Sequence, residues 1–167
     1  MKKILVDDAK CLACRSCEIA CCVAHSDSRT LYGALSEQKP PLSSVHVETG
    51  GKGRGFPLGC LHCQDPQCVR ACVTHALYMN PDGIVLYDKK RCIGCHMCLV
   101  ACPFGAIEGS ARASETYTIS KCDLCTTLGH DPACVAACPT HALIFEEPDH
   151  FSKNKRVRFL AEMTASP

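Results

Sequence analysis

Apolar positions along this chain fall in short runs, each closed off by turn-forming or charged residues, and none approaches the roughly 18 residues of a membrane span. Three stretches share one form, a turn followed by an apolar segment: Val73-Thr74-His75-Ala76-Leu77, Pro103-Phe104-Gly105-Ala106-Ile107 and Pro139-Thr140-His141-Ala142-Leu143. From Tyr78 to Asp88 the pattern predicts a strand, an Asn80-Pro81-Asp82-Gly83 turn and a second strand. Asp88-Lys89-Lys90-Arg91 then leads into a cysteine, and Val6-Asp7-Asp8-Ala9-Lys10 has the same layout near the start. The segment Ser44-Val45-His46-Val47-Glu48 alternates as a strand does, and its flanks, Lys39-Pro40-Pro41 and Gly50-Gly51-Lys52-Gly53-Arg54-Gly55, read as loops. The last twenty residues combine Lys153, Lys155, Arg156 and Arg158 with Val157, Phe159, Leu160 and Met163. They predict a basic, partly amphipathic tail, either a solvated helix or a docking element for a larger partner.

Composition changes this picture in one respect. The chain has 167 residues, enough for one domain or two small ones, and 17 of them are cysteine. The hydrophobic share of 47% drops to about 37% once cysteine is set aside, aromatics are 5% and tryptophan is absent. That is thin material for an apolar core, so something else must fill the interior. Formal charge is +1, from 18 Lys+Arg against 17 Asp+Glu, which argues against nucleic-acid binding. The start offers an apolar run of only three residues, Ile4-Leu5-Val6, and no twin arginine, so no export leader is expected. A chain this rich in cysteine without an export signal predicts metal binding in a reducing compartment rather than a disulfide framework.

The cysteines form four groups of four, plus one. The first is Cys11, Cys14, Cys17 and Cys21, with Cys22 directly after. The second is Cys60, Cys63, Cys68 and Cys72. The third is Cys92, Cys95, Cys98 and Cys102, followed by Pro103. The fourth is Cys122, Cys125, Cys134 and Cys138, followed by Pro139. The third group is the C-x2-C-x2-C-x3-C-P run that holds [4Fe–4S] clusters in bacterial ferredoxins, and the second and fourth are that run with a longer gap before the third cysteine. Proline then stops the short helix carrying the last cysteine. Four zinc sites would also consume sixteen cysteines, but zinc pairs are normally separated by a longer ribbon.

In two-cluster ferredoxins the fourth cysteine of each run serves the other run's cluster. Cys60 and Cys92 lie 32 residues apart with one hairpin between their runs, so these two runs form one unit and the two end runs form another. The predicted ligand sets are Cys60, Cys63, Cys68 and Cys102; Cys92, Cys95, Cys98 and Cys72; Cys11, Cys14, Cys17 and Cys138; and Cys122, Cys125, Cys134 and Cys21. Four [4Fe–4S] clusters are expected, with no catalytic residues. Cys22 stands where such a run normally has proline, and reads as a buried thiol acting as a small hydrophobe, with replacement of Cys21 as ligand the alternative. With four thiolates per cluster no iron is left open to substrate, so the expected role is one-electron relay. The glycine-rich loop at 50–55 lacks the Gly-Lys-Ser/Thr of a phosphate site. His62 and His96 lie inside cluster runs and His75 and His141 just after them; packing or solvent exposure is the expected role, with tuning of cluster potential the alternative. Gly94 and Gly105 are expected where backbone crowds a cluster.

These runs resemble the four-cluster electron-transfer subunits of the dimethyl sulfoxide reductase and formate hydrogenlyase kind, over nearly the whole chain. Lys121-Cys122-Asp123-Leu124-Cys125 and the stretch from Ala133 to Leu143 carry the likeness. Within that family, Cys11 to Cys21 with Ala24-His25-Ser26, Leu31-Tyr32-Gly33-Ala34-Leu35 and Pro57-Leu58-Gly59-Cys60-Leu61-His62-Cys63 are similar to the iron–sulfur protein of nickel carbon monoxide dehydrogenase systems. The chain departs from the usual pattern at Cys22 and Val73, where proline is common. The resemblance implies a cytoplasmic carrier without a membrane span of its own, held at the inner membrane face only through a membrane-bound partner. Electrons would pass from carbon monoxide dehydrogenase to a hydrogenase or other acceptor; a formate dehydrogenase–hydrogenase complex is the alternative. The fold expected is α+β, two ferredoxin-like units with one inserted into the other. Residues 1–22 with 104–147 form the first, 23–59 an insertion, 60–103 the second and 148–167 the tail.

Overall fold

The computed structural model describes residues 1–38, 41–50, 54–110, 118–129 and 131–164. Lys39, Pro40 and residues 51–53 of the two expected loops lie outside this set. In chain order the elements are β1 (Lys3–Val6), α1 (Ser16–Ala24), α2 (Leu31–Ser36), β2 (Val45–Thr49), β3 (Gly55–Gly59), α3 (Gln67–Arg70), β4 (Leu77–Met79), β5 (Val85–Tyr87), α4 (Met97–Ala101), β6 (Glu108–Ser110), β7 (Thr118–Ser120), α5 (Ala133–Ala136), β8 (Leu143–Glu146) and α6 (Pro148–Thr164). The helices carrying cysteine are only four to nine residues long, and the strands pair only in twos, so little here would be stable alone.

The pairing explains the repeat. β4 follows the second cysteine run and pairs antiparallel with β5, which leads into the third, in the register Leu77↔Tyr87 and Met79↔Val85. β8 follows the fourth run and pairs antiparallel with β1, which leads into the first, Lys3↔Glu146 through Val6↔Leu143. The two ends of the chain thus rebuild the arrangement that the central hairpin makes with a tight turn. The correspondence extends to single bonds: Asp88 N–H donates to the Ala76 carbonyl and Asp7 N–H to the Ala142 carbonyl, both at 2.8 Å. Asp8–Lys10 and Lys89–Arg91 are matching 3-10 turns that deliver Cys11 and Cys92. β6 pairs with β7 and joins the third run to the fourth.

Two small cores follow. One gathers Cys17, Cys21, Val45, Val47, Cys134 and Leu143; the other gathers Cys68, Leu77, Val85, Cys98, Ile107 and Ile119. Cysteine is a core residue in both, as the thin apolar composition required. Val45 and Val47 come from the expected strand, and a second strand that the pattern did not predict follows its glycine-rich flank. Gly55–Gly59 pairs with β2 as β3, with Val47 opposite Pro57. A segment with proline and two glycines carries little strand signal, and Pro57 is accommodated because each of these sheets has only edges. The tail forms a 17-residue helix, α6, that starts at proline, a favoured first helical residue, with Asp149 in its first turn. Its apolar residues do not collect on one buried face; Val157, Phe159, Leu160 and Met163 are all exposed, so the helix is less amphipathic than the sequence suggested. No helix among the described residues is long and apolar enough to cross a membrane.

Candidate metal centres

Each cysteine run is shaped by a residue in the left-handed region. The residue just before the second cysteine has positive φ in all four runs: Ala13 at 55°, His62 at 45°, Gly94 at 71° and Leu124 at 57°. A left-handed residue between right-handed ones turns successive N–H groups toward one side, and such a concavity favours negative charge. The turn after the last cysteine repeats as well. His75, Gly105 and His141 have φ of 52°, 61° and 52°, and their N–H groups donate to the carbonyls of Cys72, Cys102 and Cys138 at 3.0, 3.3 and 3.2 Å. Gly94 and Gly105 thus hold left-handed dihedral angles that glycine adopts without strain. Three of the four histidines in or just after the runs, His62, His75 and His141, hold these same backbone positions, where histidine is several-fold enriched.

The folded runs bring cysteines from different runs together. One cavity is lined by Cys11, Cys14, Cys17 and Cys138. A second, of about 260 Å³, is lined by Cys60, Cys63, Cys68 and Cys102. A third, of about 300 Å³, is lined by Cys21, Cys122, Cys125 and Cys134, and also by Cys60. Cys72 and Cys92 both lie close enough to Cys98 to act on it electrostatically, and Cys72 packs against the core that holds Cys98; Cys95 in the same run is exposed. Cys22 is half-buried on α1 and does not line the cavity that Cys21 lines.

Burial and hydrogen bonding sort these thiols by position in the run. The third cysteine of every run is pushed up by desolvation: Cys17 and Cys98 to about 11, Cys68 and Cys134 in the same direction. Cys122 is pushed up to about 12 for the same reason. The fourth cysteine behaves oppositely in three runs. Burial raises Cys21, Cys72 and Cys138 too, but donated hydrogen bonds outweigh it and hold all three below the ordinary thiol value. The donors include Ser44 N–H to Cys21 Sγ at 3.3 Å, Leu77 N–H to Cys72 Sγ at 3.4 Å and Ala142 N–H to Cys138 Sγ at 3.2 Å. These hydrogen bonds favour the thiolate form of Cys21, Cys72 and Cys138, the form that binds metal. Buried thiols that resist ionisation, set beside donors poised for anions, fit a group of high positive charge that accepts several sulfur ligands; an iron–sulfur cluster meets that description.

Three side chains escaped sequence reasoning. His25, one helical turn past Cys21, hydrogen-bonds through Nδ1 with the Cys21 carbonyl at 2.9 Å and through Nε2 with Asp123 Oδ1 at 3.1 Å. Asp123, then Cys21, push His25 up to about 11, so this is an ion pair tying the first run to the fourth. Asp123 also accepts from Cys125 N–H at 2.9 Å and Thr127 Oγ1 at 2.8 Å. Lys121 is buried, one residue before Cys122. A histidine four residues past the run and an acid inside Cys122-Asp123-Leu124-Cys125 were visible in the sequence, but nothing local shows that they meet.

The crossed cysteine runs and ferredoxin-type turns define a carrier of multiple [4Fe–4S] clusters. Residues 53–148 match the 4Fe-4S dicluster domain, and the chain belongs to that family. It is 37% identical over 153 residues to the electron transport protein HydN of Escherichia coli strain K12, covering 84% of this chain and 85% of that protein. It is 31% identical over 180 residues to the formate dehydrogenase iron-sulfur subunit of Wolinella succinogenes, covering 95% and 87%. An iron-sulfur protein of Rhodospirillum rubrum is 36% identical over 153 residues, covering 84% and 80%.

Proposed function

We propose that this chain is an electron-relay subunit, not itself an enzyme, holding four [4Fe–4S] clusters in the crossed sets Cys11/Cys14/Cys17/Cys138, Cys21/Cys122/Cys125/Cys134, Cys60/Cys63/Cys68/Cys102 and Cys72/Cys92/Cys95/Cys98. The observation that carries the reading is the lining of three cavities by three of these sets, each with one cysteine from a distant run. The units read as nested, because β1 and β8 close the outer one from the two chain ends while the β4–β5 hairpin closes the inner one. Each bound cluster would accept and release one electron. The protein holds the thiolates, shields them and fixes their order. Cys17 and Cys21 share α1; Cys60 borders the cavity of Cys21 and Cys122; Cys68 and Cys98 share a core. That gives a relay with the Cys11 and Cys92 sets at its ends. Cys14 and Cys95 in those end sets are the two exposed cysteines.

Of the two donors the sequence suggested, a formate dehydrogenase-type enzyme is the better supported, since one relative bears that enzyme in its name and HydN is named an electron transport protein. Carbon monoxide dehydrogenase, the first expectation, rests on short motifs alone. The acceptor is a hydrogenase or another redox enzyme. Purification under strict exclusion of oxygen, with metal analysis of what accompanies the chain, separates the donors: molybdenum or tungsten supports formate oxidation, and nickel without either supports carbon monoxide oxidation. Activity of the isolated chain with formate or carbon monoxide and a dye would refute the non-enzymatic reading.

A further inference from the structure

Lys121 is a buried cation without a carboxylate. It is 9% exposed, and its Nζ donates to the carbonyls of Val85 and Cys122, both at 2.6 Å. Among the described residues no acidic side chain pairs with it. Two neutral carbonyls are poor compensation for taking an ammonium out of water, so the site calls for an anion. Its neighbours name one. Cys122, whose carbonyl Lys121 meets, lines the cavity of the Cys21 set, and Val85, whose carbonyl it also meets, lines the cavity of the Cys60 set. Those are the two inner sets of the relay. The mount is rigid. Val85 is buried, gives its carbonyl to Lys121 and its N–H to His62 Nδ1 at 3.1 Å, and His62 is itself 2% exposed. The lysine is thus fixed between the second and fourth cysteine runs by a strand that neither run contains.

We propose that Lys121 is a fixed positive charge between the two inner clusters, a positioning residue of the electrostatic field that raises the reduction potential of both. The inference rests on the ligand sets proposed above. A cluster gains negative charge when reduced, so a nearby buried cation stabilises the reduced form, and more strongly than it would in water. The middle of the relay becomes easier to reduce than thiolate ligation alone would make it.

The test compares the full chain, prepared without oxygen, as wild type, Lys121→Met and Lys121→Arg. Redox titrations are followed by electron paramagnetic resonance, with iron and inorganic sulfide measured on the same samples. In Lys121→Met, two of the four midpoints should fall by at least 59 mV, a tenfold change in the reduced-to-oxidised ratio of a one-electron couple, while the other two move less. Lys121→Arg should keep wild-type midpoints. Unshifted midpoints in a fully loaded Lys121→Met protein, or an equal fall in Lys121→Arg, overturn the proposal. If Lys121→Met fails to load, Lys121→Arg decides: full iron with wild-type midpoints supports a need for charge, and anything else counts against it. Wild-type iron well short of about sixteen atoms per chain would sink the ligand sets and this proposal with them; unshifted midpoints at full iron sink this proposal alone.

Discussion

At the scale of single residues, sulfur and backbone divide the work. The sixteen paired cysteines were legible because their spacing is chemical. The left-handed positions were not, since only Gly94 and Gly105 advertise them while Ala13, His62, Leu124, His75 and His141 do the same job with a side chain. A β-branched residue suits that region worst. His141→Val should therefore destabilise the chain by about 1–2 kcal/mol and His141→Gly should be close to neutral, as read from loss of cluster absorbance on heating. The two adjacent thiols of α1 should also separate. Cys21 is buried, accepts a hydrogen bond from Ser44 N–H and lines a cavity with the fourth run, whereas Cys22 is half-buried. Cys22→Ala should keep its full iron, and Cys21→Ala should lose about a quarter of it. The reverse result would make Cys22 the ligand.

Among the elements, the hairpin β4–β5 was readable from Asn80-Pro81-Asp82-Gly83, where Gly83 takes φ of 77° and its N–H meets the Asn80 carbonyl at 3.0 Å. The β1–β8 pair was not, because its strands stand at opposite ends of the chain and no local turn links them. β3 was missed because proline and glycine mask a strand that only its partner reveals. The helix α6 meets the body through His150, paired with Glu146 of β8, and further along through Arg158, which donates to Asp7 Oδ2 at 2.9 Å, with Lys10 3.4 Å from the same oxygen. Arg158, and less strongly Lys10, hold the buried Asp7 carboxyl below its ordinary value. A depressed carboxyl contributes stability that is present above its unfolded pKa, near 3.9, and lost as pH falls through the folded value. Arg158→Ala should release α6 at a cost of about 1–2 kcal/mol, since the guanidinium is half in solvent. Read by proteolysis of α6, the difference from wild type should stay flat between about pH 7 and 5 and shrink only below about 4. Its disappearance between pH 7 and 5 would contradict the assignment of the contact to Asp7.

For the whole molecule, the inorganic cores stand in for the missing apolar residues and change the charge. The chain alone is near neutral, at +1 with a pI of about 7.5. With the proposed sixteen thiolates and four oxidised cores of charge about +2 it would come to about −7. The loaded protein should therefore bind an anion exchanger at neutral pH that the metal-free chain passes through; equal retention of both would argue against this charge balance. The exposed apolar residues beside the end sets, Leu12 and Ile19 near Cys14 and Ile93, Met97 and Val100 near Cys95, are the surfaces on which donor and acceptor would have to approach within electron-transfer range. The central claim is a relay of four low-potential clusters in one chain, and a redox titration of the oxygen-free protein followed by electron paramagnetic resonance tests it most directly. Four one-electron reductions, on the order of −400 mV, are expected from a chain carrying about sixteen iron atoms. Zinc in place of iron, fewer than four reducible centres, or midpoints all well above about 0 mV would contradict it.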